Sequence, residues 1–354
     1  MLTLTWPQVI ARRLARSHLL RPAPKTRLAE AVGEIGLIQA QVLSAAELGI
    51  GLRVRGAAVD DVRKELYERR SLVKTWSIRG TLHLVPAAEL PLWSAAVRGP
   101  ANGAAQGPDE VLDAVADALD GRCLTRAELA DAVAERLGRP LERLRSAWGD
   151  LLHAPASAGV LCFGPPQGAN VTFVRADQWI GGWRDEDPAS ARAEVLRRYL
   201  AAYAPATPTD FARWSGFGRA AAQELFRELA DELEQVRVER RRAFILSGDT
   251  GDFDRDPKGV LLLPQYDVYV IGFWPREPLV PPPVKERIRQ DPKGRFESVT
   301  GVSPLVVDGV VAGLWRRQRG RDGVAIDVEQ VVPLPRGRRD ELAAAVEAVR
   351  TILD

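Results

Sequence analysis

The chain has 354 residues, 46% of them hydrophobic and 27% charged, with a formal net charge of +2. That length suits two or three globular domains with ample core, and a balance so near neutrality does not by itself argue for a nucleic-acid partner. No apolar run approaches the roughly 18 residues of a membrane span and the N-terminus MLTLTWPQVIARRL lacks a signal-peptide pattern, so a cytoplasmic protein without a membrane partner is expected.

Residues 2–27 carry Arg12, Arg13, Arg16, Arg21, Lys25 and Arg27 with no Asp or Glu. This reads either as a basic arm that tracks phosphates or as a solvated helix face. Next comes AVGEIGLIQAQVLSAAELGIGLRVR, residues 31–55. An apolar-patterned helix over Leu28, Val32, Ile35, Leu37 and Ile38 gives way at Gln39-Ala40-Gln41 to a second over Val42, Leu43, Ala46 and Leu48. Glutamine is neither acid nor base, but its carbonyl acceptor and two N–H donors can orient a reactant. The pair can equally face solvent or satisfy local backbone groups. Arg53 and Arg55, flanked by Gly51 and Gly56, are expected to leave a helix end and enter a turn.

Residues 60–70 read as an amphipathic helix. Residues 71–85 alternate as two strands (Leu72, Val73, Trp76, Ile78, Leu82, Leu84) about Arg79-Gly80. Three helices followed by a hairpin is the order of a winged helix, with Lys74, Arg79, Thr81 and His83 on the wing. His83 should point away from the face of Leu82 and Leu84, in a structural or a catalytic role.

The order recurs. After a glycine-rich loop over residues 98–107 comes a helix over 109–119. A Thr125-Arg126-Ala127-Glu128 capping box then opens another, residues 141–158 supply a third, and VLCFGPPQGANVTFV is a hairpin turning over 164–170. A third copy runs through helices over 189–202, from Thr207-Pro208-Thr209-Asp210 to Trp214, and over 218–232, with strands within 233–246 and 259–273. The remainder is a proline-rich segment (275–283), a polar one (288–296), strands within 299–332 turning at Asp308-Gly309 and Asp322-Gly323, and a helix over 340–353. Arg316, Arg317, Arg319 and Arg321 cluster on a hairpin there, gripping a nucleic-acid backbone or merely solvated. The expected fold is therefore α+β, with tandem winged-helix units over residues 1–97, 108–185 and 189–274, then a small β-sheet closed by a helix over 275–354.

Only two cysteines (Cys123, Cys162) and three histidines (His18, His83, His153) are present, with no zinc spacing; reduced, structural thiols and no metal are expected. Six of the 49 basic residues are lysines and 43 are arginines. Arginine suits bidentate contact with phosphate, although a GC-rich coding bias also yields such a composition.

Taken in order, IQAQ with the following RVR, WSIRGTLHLV, YLAAYAPATPTDFARWSGF (199–217), VLLLPQYDVYVIGF (260–273) and VDGVVAGLW (307–315) resemble the winged-helix alkylpurine DNA glycosylases. These bacterial enzymes unhook interstrand crosslinks and remove bulky alkylated purines. The resemblance spans nearly the whole chain and points to the subgroup with a Gln-aliphatic-Gln motif; Gln41 departs from a second subgroup that has an acid there. It implies a monofunctional DNA glycosylase without cofactor, a monomer acting on double-stranded DNA with alkylated purines, in general repair or in self-resistance to a DNA-alkylating natural product. Catalysis would fall to Gln39 and Gln41. DNA binding would fall to Arg12, Arg13, Arg16, Arg53, Arg55, Lys74, Trp76, Arg79, Thr81 and His83. Glu34 and Glu47, which flank the motif, are expected to be surface charges.

Base hydrolysis passes through an oxocarbenium-like state, which the enzyme must stabilise while placing a water near the anomeric carbon. Two glutamines suffice for an N7-alkylated purine, since this cationic base departs neutral without a general acid. Base flipping need not apply to a bulky adduct. A non-catalytic winged-helix DNA-binding protein or regulator is the alternative. A nuclease stands third, for want of the clustered carboxylates and histidines that two metal ions recruit.

Overall fold

The computed structural model describes residues 1–99, 109–139, 151–320 and 323–353. Most of the loop expected over 98–107, most of the helix expected over 141–158, Asp322 of the Asp322-Gly323 turn and the side chains of Arg319 and Arg321 lie outside the described residues.

Strand β1 (Thr3–Leu4) leads into α1 (Trp6–Arg16), whose start is set by Pro7 and by Gln8 Oε1, which accepts from Thr5 N at 2.9 Å. There follow α2 (Leu28–Glu34), β2 (Ile38–Gln39), α3 (Leu43–Gly51), α4 (Val59–Tyr67), the antiparallel pair β3 (Leu72–Trp76) and β4 (Leu82–Pro86), and α5 (Leu90–Val97). Next are α6 (Asp109–Ala118), β5 (Cys123–Thr125), α7 (Arg126–Leu137), α8 (His153–Ser157), β6 (Leu161–Gln167), β7 (Asn170–Arg175) and α9 (Ala176–Ile180). A third stretch holds α10 (Pro188–Tyr203), α11 (Pro208–Ser215), α12 (Arg219–Glu228), β8 (Leu233–Val238) and β9 (Arg241–Leu246). The chain closes through β10 (Val260–Leu262), α13 (Val268–Gly272), α14 (Pro282–Gln290), α15 (Pro292–Glu297), β11 (Pro304–Val307), β12 (Val310–Gly320), β13 (Gly323–Gln330) and α16 (Arg339–Leu353). The class is α+β, with several small sheets.

By internal contacts the chain forms two units that interleave in sequence: residues 1–62, 197–210 and 230–354, and residues 63–196 with 211–229. In the first unit β1 pairs in parallel with β8, which pairs antiparallel with β9, so the N-terminus joins a hairpin more than 200 residues away. Ile10 and Leu14 of α1 share a core with Tyr269, Phe273, Leu279, Val284 and Leu314. The antiparallel sheet β10-β11-β12-β13 is covered by α16 and α3, through Val349, Ile352 and Leu48 against Leu262, Leu305 and Trp315. The sheet closed by a helix is thus present. One expectation is corrected: within 259–273, β10 pairs with β11 rather than completing the third repeat, and residues 268–272 are helical. Asp267 caps that helix by accepting from Tyr269 N at 2.9 Å, and a short apolar run does not declare its own secondary structure.

The second unit contains the β5-β7-β6 sheet and the expected capping box of α7. Thr125 N donates to Glu128 Oε2 (2.8 Å), Glu128 N returns to Thr125 Oγ1 (3.4 Å), and Gly138 ends the helix at φ 63°. The β6–β7 turn is tighter than expected, falling at Gly168-Ala169. Pro165 and Pro166 sit where the ladder is irregular, between Gly164 and Gln167, since proline has no N–H to give it.

Candidate active site

The turn ahead of the glutamine motif is strained. After α2 the chain reverses through Gly36 (φ 74°) and Leu37 (φ 75°), Gly36 N donating to Gly33 O and Leu37 N to Val32 O, both at 3.0 Å. Glycine takes that conformation freely, whereas for leucine it costs about 1–2 kcal/mol. Leu37 is held there by a fully buried side chain (0% exposed). Tyr203 Oη donates to Ile35 O at 2.7 Å and pins the same turn, its ring stacked on Tyr199 with centroids 5.4 Å apart. A Cβ on Gly272 would collide with that ring. Strain of this kind persists only where the surroundings over-determine it.

The chain then enters β2 and delivers the motif to the start of α3. Gln39 is 8% exposed and Ala40 is fully buried, while Gln41 faces solvent. One amide is therefore sheltered and rigid, and the next is open to an incoming molecule. Of the flanking acids, Glu34 is exposed and pairs with His18 (2.7 Å) and Arg27. Glu47 is not the surface charge expected of it. It is 1% exposed, because α3 is buried on all sides from Ala45 to Ile50.

Burial corrects the expected roles of three arginines in the first unit. Arg12 lies buried over the Phe253 ring and binds Asp249 (2.6 Å) and Gly251 O (2.6 Å). Arg13, also buried, donates to Tyr203 O (2.8 Å), Pro205 O (3.0 Å) and Trp274 O (3.3 Å). Burial lowers the pKa of both, opposed for Arg12 by the Asp249 carboxylate. Arg53 forks onto Asp267, Nη1 to Oδ2 at 2.8 Å and Nη2 to Oδ1 at 2.7 Å. These three guanidiniums join distant segments of one core and are not presented to a ligand. Arg16 is partly exposed and bound to Asp249 and Asp252. Arg55 is exposed and makes no ion pair among the described residues.

In the second unit the hairpin residues divide in the same way. Trp76 packs in the core against Phe163 (5.0 Å), His153 (5.8 Å) and Phe173 (6.4 Å). His83 is buried although it sits opposite Leu82 and Leu84 in facing, because both faces of β4 are covered. Its Nδ1 donates to Thr81 O (2.9 Å), and Nε2 accepts from Arg79 Nη2 (3.2 Å). Burial, with the Arg79 charge adding to it, pushes the His83 pKa down to about 3, so the ring is neutral. Arg79 itself (φ 56°) also donates to Trp214 O, and Lys74 lies 4.9 Å from the Phe163 centroid. Lys74, Arg79 and Thr81 are half-buried.

Sequence reasoning missed Tyr203, Leu37 and Asp267. The i, i+4 tyrosines of YLAAY and the aspartate of QYDVYVIGF were the available signals. Other landmarks also prove to be framework: Trp315 Nε1 of VDGVVAGLW donates to Leu263 O of VLLLP at 2.7 Å. Among the described residues, no three His, Cys, Asp or Glu side chains are grouped to hold a metal ion, and no helix is long and apolar enough to cross a membrane.

Comparison with known proteins agrees with this geometry. Residues 32–352 match the family model described as DNA glycosylase AlkZ-like. An interstrand DNA cross-link repair glycosylase of Streptomyces sahachiroi is 34% identical over 339 residues, covering 88% of this chain and 87% of its own. The solved structure of Streptomyces sahachiroi DNA glycosylase AlkZ superposes with a TM-score of 0.80 at 30% identity, covering 99% of this chain and 97% of that one. The chain belongs to the AlkZ-like DNA glycosylase family.

Proposed function

We propose that the protein hydrolyses the N-glycosidic bond of N7-alkylated purines in double-stranded DNA, bulky adducts and interstrand crosslinks included, as a monofunctional glycosylase. The observation that carries this reading is the motif itself: two amides on a braced turn, the first sheltered and the second open, with no carboxylate among them. Gln39 and Gln41 orient the attacking water through their carbonyl oxygens and hold it against the anomeric carbon as positive charge grows on the sugar. Neither amide can protonate the departing base. The substrate must therefore supply its own leaving group, as a cationic N7-alkylpurine does when it departs neutral.

The helix-and-hairpin repeats act as winged-helix units on the duplex. Arg16, Arg55, Lys74, Arg79 and Thr81 provide contacts, and Arg12, Arg13, Arg53, Trp76 and His83 hold those contacts in place from the core. The role is repair of alkylated DNA, whether general or in self-resistance.

The test is a duplex carrying one N7-methylguanine, incubated with the protein and treated with alkali to cleave abasic sites. Gln39→Ala and Gln41→Ala should each slow single-turnover release about 10²–10³-fold, the usual cost of removing one positioned group, with duplex affinity retained. A wild type that binds duplex but releases no base from methylated, bulky-adduct or crosslinked DNA would instead be a non-catalytic DNA-binding protein.

A further inference from the structure

A second polar feature of the first unit lies away from the glutamine motif, at the base of the β12–β13 hairpin. It is a cavity of about 510 Å³ between α15, the approach to β11, and β12. Leu314, Trp315 and Val302 form its floor, and Lys293, Arg316 and Arg317 reach it from the rim. The only acid in its lining is Asp291, which leaves the walls with a net charge of +2.

Asp291 is buried and fully engaged: Oδ1 accepts from Lys293 N (3.0 Å) and Oδ2 from Arg316 Nη2 (2.7 Å). It therefore fixes Arg316 and leaves that guanidinium's other donors outward. Lys293 Nζ is steadied by Gln265 Oε1 at 3.3 Å. Arg317, the next residue on β12, is exposed and makes no ion pair among the described residues. The other acid at hand is Asp327, exposed and opposite Arg316 across the ladder; Arg317 faces Ile326. The Trp315 indole N–H is already spent on Leu263 O, so the floor offers an anion apolar surface and the rim offers the charge.

We infer that this cavity is a phosphate clamp in which Lys293, Arg316 and Arg317 grip a phosphodiester of the duplex backbone. The inference rests on the reading that duplex DNA is the substrate. An ordered guanidinium and two exposed cations around a recess suit a tetrahedral anion. The recess is far larger than one phosphate, which leaves room for the flanking sugars of a continuous strand. Such a contact positions the duplex and carries no sequence information.

The test uses the full chain with undamaged and N7-methylguanine duplexes, measuring affinity from about 50 to 200 mM salt for wild type, Lys293→Ala, Arg317→Ala and Arg317→Glu. Each phosphate contact contributes about 0.9 to the slope of log K against log salt. Each alanine variant should lower the slope by about one and weaken binding several-fold at low salt, Arg317→Glu more so, with unchanged melting temperature and an unchanged release rate at saturating DNA. Slopes equal to wild type in all three variants overturn the clamp. A third arm titrates inorganic phosphate in the absence of DNA: a thermal shift lost in Arg317→Ala, with DNA slopes unaltered, assigns the pocket to a free phosphate and also overturns it. A wild type that binds DNA but releases no base sinks the glycosylase reading while the slopes still decide the clamp.

Discussion

Replacing Arg53 by alanine separates a structural arginine from a DNA-contacting one. Its guanidinium makes two hydrogen bonds of 2.7 and 2.8 Å to Asp267 and a third of 3.0 Å to Gly49 O, and both paired side chains are 1% exposed. Truncation leaves the Asp267 carboxylate buried with only the Tyr269 N–H to face it. Breaking a buried pair from one side costs about 3–5 kcal/mol, against a total stability of about 5–15 kcal/mol. At about 2 °C per kcal/mol for a long chain, the melting temperature of Arg53→Ala should fall by about 6–10 °C. Differential scanning fluorimetry reads that loss, and fluorescence anisotropy on a short duplex, taken well below the transition, should find affinity within twofold of wild type. The double variant Arg53→Met/Asp267→Leu should recover much of the stability, since removing both charges avoids the stranded carboxylate. Unchanged melting together with a tenfold loss of duplex affinity would refute the reasoning and restore Arg53 to the DNA-contact set.

Three further outcomes follow from burial. His83 titrates near 3 when folded but near its usual 6.5 when unfolded, so its contribution to stability is full above about pH 6.5 and is lost as pH falls toward 3. At pH 5 that loss is about 2 kcal/mol, and His83→Gln should flatten the melting-temperature profile between pH 5 and 7; coincident slopes for the two proteins would count against it. Trp76→Ala should cost about 3–5 kcal/mol by emptying an aromatic core site, and the resulting drop in melting temperature should come without a selective loss of DNA affinity. Cys162 is buried, which pushes its thiol pKa up, while Cys123 is exposed, so a thiol reagent should label one site in the native protein and two after unfolding. Two native thiols labelling at equal rates would contradict the packing around Cys162.

Much of the helix and strand content was legible locally. The Thr125–Glu128 box, the Asp308-Gly309 turn (φ 50° and 79°) and the closing helix all rest on interactions within a few residues, so sequence alone specifies them. The catalytic motif was legible only through resemblance, because a glutamine pair carries no charge, spacing or pKa signature of its own. The basic arm illustrates the limit: Arg12 and Arg13 read as phosphate seekers until α1 is packed against Tyr269 and Phe273, where their charges meet Asp249 and three backbone carbonyls from remote segments.

By itself, then, the sequence determined the α+β class, the local caps and turns, and through the ordered landmarks the family. Only the tertiary structure decided which of its charges are available to a ligand. Composition shows where arginines stand along the chain, but exposure depends on which distant backbone returns beside them. The β1–β8 pairing and the Arg53–Asp267 fork span more than 200 residues, and no local pattern encodes a partner at that distance.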